Sequence, residues 1–216
     1  MGFYLSAHPL DEFKYEMKTF VTNRCDELSD LTKLVGKEIR FAGMVSDAKT
    51  GISSKNGDPF GVMTIQDYQG SYTIKLYKDD FLKYKNYFQK ELFLFVKGYV
   101  KQFSHSQPDG TIYTSRPVVK ISEMMMLSEV LTRFTKVIKF SINLSDITED
   151  FCRELAKLAK AHKGKVPLEA CVLDFEHGHD GQPLTLTMKS RDMCVDVAKF
   201  LPHFSKMPQV KDIKMV

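Results

Sequence analysis

The chain has no apolar run approaching the roughly 18 residues that a membrane-spanning helix needs. Its start, MGFYLSAHPLDEFK, lacks a basic region followed by an apolar stretch. These absences argue against an embedded chain and against export through a cleaved leader. Cysteine is scarce and scattered: Cys25, Cys152, Cys171 and Cys194 form no CxxC pair and have no histidine at ligand spacing, which speaks against a zinc ribbon or a disulfide framework. They read as buried thiols of a reducing cytoplasm. There is no GxSxG, HExxH, Walker loop or GxGxxG, no internal repeat, and no low-complexity tract beyond Met124-Met125-Met126. Charge of one sign is lacking too, since 31 basic residues against 27 acidic give a net charge of only +4.

What is present is ordinary globular composition, 43% hydrophobic, 27% charged and 12% aromatic, in 216 residues that suffice for one large domain or two small ones. The small basic surplus is unevenly spread. Residues 1–35 hold 4 basic against 6 acidic residues, 36–127 hold 13 against 9, and 128–216 hold 14 against 12. A surplus centred on the middle segment suits a loosely held polyanion rather than a tight clamp.

Three stretches differ in periodicity. In residues 1–35, Phe13, Met17, Phe20 and Val21, then Leu28, Leu31 and Leu34, predict two short linker helices, the second capped by Ser29 or Asp30 and ended at Gly36. Residues 36–127 alternate with period two. The reading is a strand from Ile39 bent at Gly43, an Asn56-Gly57 loop, a second strand with Met63 and Ile65 inward, and a third with Tyr72, Ile74 and Leu76 inward. A short helix over 79–88 and two further strands, 91–103 and 111–127, complete a five-stranded OB-fold β-barrel. Residues 128–216 read as β-α-β-β-α-β: strand 137–144, helix 148–164, strands 166–176 and 183–190, helix 191–204 and a closing strand. The fold class is therefore α+β, an OB-fold barrel with N-terminal linker helices followed by a small two-layer domain. No Pro/Gly-rich linker separates the two.

A catalytic centre for phosphoryl transfer needs several carboxylates brought together around metal ions. Asp67, Asp79-Asp80 and Glu149-Asp150 lie instead at turns and helix starts, where acidic side chains satisfy amides and complement the helix dipole. Of the six histidines, His177 and His179 are the tempting pair, but HGHDG falls in a hairpin loop and reads as a polar turn. No catalytic residue, metal site or cofactor is expected.

Nucleic-acid binding is the better supported class. OB-folds hold single strands on the face of strands two and three, between the loops joining strands one and two and strands four and five. On that map the candidates are Lys49 and Lys55 in the first loop, Thr64 on strand two, Thr73, Lys75 and Tyr77 on strand three, and Phe103, His105 and Arg116 around the last loop. Lys75, Lys55 and Arg116 would contact phosphates; Tyr77 and Phe103 would stack bases. Tyr77 could equally close the barrel and Phe103 lie in the core. Separately, Gln89-Lys90-Glu91-Leu92-Phe93 has the Q-x-x-L-F form of a sliding-clamp peptide, but Leu92 and Phe93 open a predicted core strand, which counts against that use.

Residues 2–14, GFYLSAHPLDEFK, closely resemble the G-x-Y-L-[ST]-x-H-P-[LI] stretch of the catalytic α subunit of bacterial replicative DNA polymerase III. Residues 43–77, GMVSDAKTGISSKNGDPFGVMTIQDYQGSYTIKLY, are similar to the OB region that follows it in that family, and the last third matches by order of elements. The resemblance implies a C-terminal piece of a longer polymerase, cut in the middle of a family motif, with the catalytic parts upstream. It implies an OB domain that contacts single-stranded template DNA and a C-terminal domain that docks the τ subunit of the clamp loader, in the bacterial cytoplasm at the nucleoid. Loop 53–58 carries only Lys55 where relatives are more basic, so the expected hold on DNA is weak. Two alternatives use the same strands. One is a protein-interaction module that positions replisome partners without touching nucleic acid. The other, an anticodon-binding OB domain like that of class II aminoacyl-tRNA synthetases, leaves GFYLSAHPLDE and the last third unexplained.

Overall fold

A computed structural model describes residues 8–106 and 112–216. The chain divides into two units, Met1–Val130 and Leu131–Val216. The first part of the GFYLSAH string, residues 2–7, lies outside the described residues.

The lead-in comprises a 3-10 turn at Pro9–Phe13, helix α1 at Lys14–Phe20, and 3-10 turns at Asp26–Ser29 and Leu31–Leu34. Asp30 caps the last of these by accepting the Thr32 amide at 3.1 Å, and Gly36 then turns the chain at φ 78°. The HPLD residues form a reciprocal cap: the Leu10 amide donates to His8 Nδ1 at 3.2 Å and the His8 amide donates to Asp11 at 2.9 Å.

Strands β1 (Glu38–Ile52), β2 (Pro59–Gln66), β3 (Ser71–Tyr77) and β4 (Phe93–Lys101) alternate as their sequences do, with Ile39, Phe41, Met63, Ile65, Ile74, Leu76, Leu94 and Val96 buried inside. The first half of β1 pairs with β4 and the second half with β2, and the register slips between Val45 and Asp47. This division makes the bend. Gly43 sits at it, packed so closely on Gln66 that a Cβ would strike the Gln66 carbonyl. Helix α2 (Lys78–Tyr84) follows β3 and closes one end of the core with Phe81, which meets Phe88 edge-on at 5.2 Å between centroids. Gly61 leaves room for both rings, since a Cβ there would come within 2.6 Å of each.

The fifth strand departs from the expected single run over 111–127. Pro117, which has no amide to give a ladder, divides it. Ile112–Thr114 (β6) pairs back on Ser104–Ser106 (β5) as a separate hairpin, and only Val118–Met126 (β7) joins the barrel beside β4. The sheet order is β3-β2-β1-β4-β7 with every neighbour antiparallel. Five strands joined this way leave the two end strands running in the same direction, so closure would need a parallel ladder, the less stable kind per residue. Among the described residues none forms. The barrel is rolled but open between β3 and β7.

Helix α3 (Val130–Phe134) leads into the second unit. There β8 (Ile138–Asn143), helix α4 (Glu149–Ala161) and β9 (Lys163–His179) make a βαβ unit whose two strands lie side by side and parallel. Strand β10 (Gln182–Val195) folds back on β9, and helix α5 (Val197–Phe204) carries the chain to β11 (Lys211–Met215) on the far side of β8, giving the order β10-β9-β8-β11. Phe140, Phe200 and Phe204 form the aromatic centre of its core, with centroids 4.9 and 4.8 Å apart. Thr148 caps α4, accepting the Phe151 amide at 3.2 Å. Two sequence expectations change. Residues 191–195 extend β10 instead of opening a helix, because the cap is Asp196, and Pro202 lies inside α5. Helix α4 stops at His162, while Gly164 belongs to β9. Of the four thiols only Cys25 is buried; Cys152 is exposed on α4, and Cys171 and Cys194 are half-buried.

Candidate nucleic-acid interface

The outer surface of β1, β2 and β3 is built from the residues that alternate with the core. Their registers align them in rows across the three strands: Gly51 beside Phe60 and Tyr77, Lys49 beside Val62 and Lys75, and Asp47 beside Thr64 and Thr73. The first row is aromatic. Phe60 and Tyr77 lie 6.4 Å apart between centroids at 33°, and Tyr77 is 54% exposed. The second row is cationic, and neither Lys49 nor Lys75 forms a salt bridge among the described residues. The third is a hydroxyl pair, with Thr64 Oγ1 and Thr73 Oγ1 3.1 Å apart; its Asp47 is ion-paired with Lys90 at 2.9 Å, which holds that carboxyl below its ordinary range. An exposed aromatic pair beside two lysines, of which Lys49 also feels the Asp47 carboxylate, can stack bases and neutralise phosphates.

Loop 53–58 borders this face. Its turn is closed by the Gly57 amide donating to the Ser53 carbonyl at 2.8 Å and by an Asn56–Asp58 side-chain bond. Lys55 projects exposed at the tip, while Lys78 ties the loop to α2 through Asp58 at 3.1 Å. Ile52, beside it, is 74% exposed. The β2–β3 turn at the other end is held by Asp67, a buried carboxylate. It accepts the Cys25 amide at 2.7 Å and the Gln69 and Gly70 amides at 2.9 Å each. Burial, reinforced by that carboxylate, pushes the Cys25 thiol up. Tyr68 in the same turn donates to Asp11 at 2.8 Å and lies 4.4 Å from the His8 ring; burial and Asp11 raise its hydroxyl to about 12. The HPLD residues thus anchor the lead-in to the hairpin that carries the face.

Lys49, Thr64, Thr73, Lys75 and Tyr77 are brought together on one surface, with Lys55 at its rim. Phe103, His105 and Arg116 sit apart, in the connection between β4 and β7. Phe103 is 47% exposed and held by Ser115, whose Oγ accepts its amide at 3.0 Å. His105 pairs through its backbone with Tyr113, and Arg116 is exposed. Among the described residues no hydrogen bond or ring contact links Phe103 or Arg116 to the β1–β3 face. The residue that sequence reasoning missed is Phe60. Counting back from the turn would have found it, since Gln66 opposite Ser71 places Phe60 opposite Tyr77.

The remaining candidates have structural roles. Asp79-Asp80 and Glu149-Asp150 open α2 and α4, with Asp80 paired to Lys120 and both Glu149 and Asp150 to Arg153. His177 bonds Asp174 at 2.8 Å in a turn where Asp180 and Gly181 both take positive φ. Among the described residues no group of three or more His, Cys, Asp or Glu is placed to hold a metal ion, and no helix is long and apolar enough to cross a membrane. In Gln89–Phe93, the Glu91 amide and Leu92 carbonyl are bonded to Val45, and Phe93 packs on Phe13 at 5.1 Å.

A five-stranded rolled antiparallel sheet with a helix between strands three and four is an OB-fold, here with its β2–β3 surface aromatic and basic. No family model matches the chain. The chain is 27% identical over 169 residues to DNA polymerase III subunit alpha of Vibrio cholerae, a match covering 78% of this chain and 14% of that protein. It is 25% identical over 170 residues to the subunit of the same name from Escherichia coli K12, again covering 78% and 14%. These relatives carry the name of the family that the sequence resembles, and the chain spans 14% of their length. Among solved structures, the yeast mitochondrial single-stranded DNA binding protein Rim1 aligns with 43% of this chain and 94% of its own, at TM-score 0.28 and 12% identity. An OBody bound to hen egg-white lysozyme aligns with 50% and 94%, at TM-score 0.33 and 19% identity.

Proposed function

We propose that this chain is a non-catalytic, C-terminal part of a bacterial DNA polymerase III α subunit, a cytoplasmic replication protein, and that its OB unit loosely holds single-stranded template DNA. The observation that carries the reading is the β1–β3 surface, where Phe60 and Tyr77 lie side by side next to Lys49 and Lys75, neither of which forms a salt bridge among the described residues. Lys55 and Arg116 would add phosphate contacts, and Phe103 a further stacking ring, as the strand passes the loops. Fluorescence anisotropy of a labelled single-stranded oligonucleotide across a salt series tests this. Affinity should fall steeply as salt rises; no detectable binding at low salt would overturn it.

The C-terminal unit would dock a protein, the τ subunit of the clamp loader. Supporting this, the edge strand β10, paired on one side only with β9, exposes Leu184, Leu186 and Met188, a row that a partner would ordinarily cover. The same row favours the second reading, in which both units only position replisome proteins. A pull-down with the cognate clamp-loader subunit, comparing Leu186→Glu with the unaltered chain, decides whether that strand is the contact.

A further inference from the structure

The open seam of the barrel is a groove. Between β3 and β7 it encloses about 290 Å³, with Leu76 and Ile121 along its floor, Lys75 and Tyr77 on one rim and Val118 and Lys120 on the other. It continues past Thr73 and Pro117 into a further space of about 220 Å³. Three features identify what would fill it. The floor is apolar: Leu76 is buried and Ile121 half-buried. Of the two rim lysines, Lys120 lies 3.5 Å from Asp80, while Lys75 forms no salt bridge among the described residues and leaves the β3 rim cationic. The Tyr84 hydroxyl at its end is already engaged, donating to the Ser122 carbonyl at 2.9 Å. An apolar slot at the small end of the range for ligand sites, with a positive charge on its lip, matches one nucleobase with its phosphate. An extended peptide could pair with either bare strand edge, but only an acidic one would also use Lys75, whereas a nucleic-acid strand carries a phosphate at every step.

Tyr77 and Lys75 belong both to the aromatic and basic face and to this groove. We propose that a bound single strand crosses the edge of β3 and inserts one base between β3 and β7, with Lys75 and Lys120 on its phosphates. This rests on the single-stranded DNA reading above and adds β7 to the contact surface.

The test uses the full chain and a labelled oligothymidylate of about 16 nucleotides, enough to cover one OB site. Val118→Trp fills the groove from an exposed position, and Lys120→Ala removes a rim charge and exposes Asp80. Thr64→Glu, on the outer face, is the comparison. Val118→Trp should weaken binding about tenfold, the loss of one stacked base. Lys120→Ala should lower the slope of log affinity against log salt by about 0.7. Thermal unfolding of each variant checks that the fold is kept, and if Val118→Trp unfolds, Lys120→Ala decides. If Thr64→Glu weakens binding while both groove variants bind like the unaltered chain, the groove belongs to another occupant, such as a peptide, and the proposal fails while the face reading stands. If the unaltered chain does not bind at low salt, the face reading fails and the proposal with it.

Discussion

Removing the Asp67 carboxylate should loosen the lead-in from the barrel, and the structure gives the size of the effect. Oδ2 is the acceptor for the Cys25 amide at 2.7 Å, deep against a fully buried cysteine, while Oδ1 serves the two turn amides at 2.9 Å. In Asp67→Ala the buried Cys25 amide loses its acceptor, and an orphaned buried donor costs about 1–3 kcal/mol. The Gln69 and Gly70 amides lie in an exposed turn and can turn to solvent, adding roughly 0.5–1 kcal/mol between them. The sum, about 1.5–4 kcal/mol, falls on one unit of a two-unit chain, so a global melt is a poor measure of it. Thiol labelling reports the site directly. Cys152 is already exposed in the unaltered protein, and Cys25 should become reactive in the variant, with faster amide exchange over 22–28 and 67–70. Asp67→Asn sharpens the test, because an amide can still offer one oxygen to the turn but must face the Cys25 N–H with a second donor. It should expose Cys25 while leaving the turn amides protected. If Cys25 stays unlabelled and its amide slow to exchange in Asp67→Ala, the carboxylate is not what holds the lead-in, and the reasoning fails.

Three further outcomes are expected. Phe60→Ala should cost about 1–3 kcal/mol of single-stranded DNA affinity through lost stacking, read by anisotropy; an unchanged affinity would remove the aromatic row from the interface. On the opposite side of the barrel, Tyr99, Arg40 and Lys97 hold the Glu38 carboxyl at about 2 against an ordinary 4.5. As acid is added the unfolded chain binds that proton first, so this contribution to stability is complete above about pH 4.5 and lost as the pH falls to about 2. Denaturation midpoints of Glu38→Gln and the unaltered chain should therefore converge across that window; a constant gap would refute the assignment. In the second unit, Phe140→Ala should destabilise by about 3–5 kcal/mol, seen as early loss of that unit's exchange protection.

The OB strands were legible because alternation and turn residues are local properties. Met63 and Ile65 against Val62 and Thr64, with Asp67-Tyr68-Gln69-Gly70 after them, fix faces and register without any distant information. The β5–β6 hairpin was not legible, because 111–127 is one β-rich run whose only interruption is Pro117. Residues 191–195 resemble a helix for a similar reason. Their apolar spacing is ambiguous over so short a stretch, and the cap that decides it, Asp196, looks like any acidic residue until its partner is seen. The opening between β3 and β7 depends on two strands more than forty residues apart in sequence, and no local pattern encodes it. At the interface the alternating lysines and Tyr77 could be placed from sequence. Phe60 was lost because it follows Pro59 at the edge of a loop.

The clip between His8, Asp11 and Tyr68 sets where mechanical load enters this protein. Tension on the chain before residue 8 is delivered to the tip of the β2–β3 hairpin rather than to the barrel floor, because the Tyr68 hydroxyl and the His8 ring meet there. The hairpin is stiffened along its length by seven paired positions, so a tug at its tip is transmitted to Thr64, Thr73 and Tyr77 together.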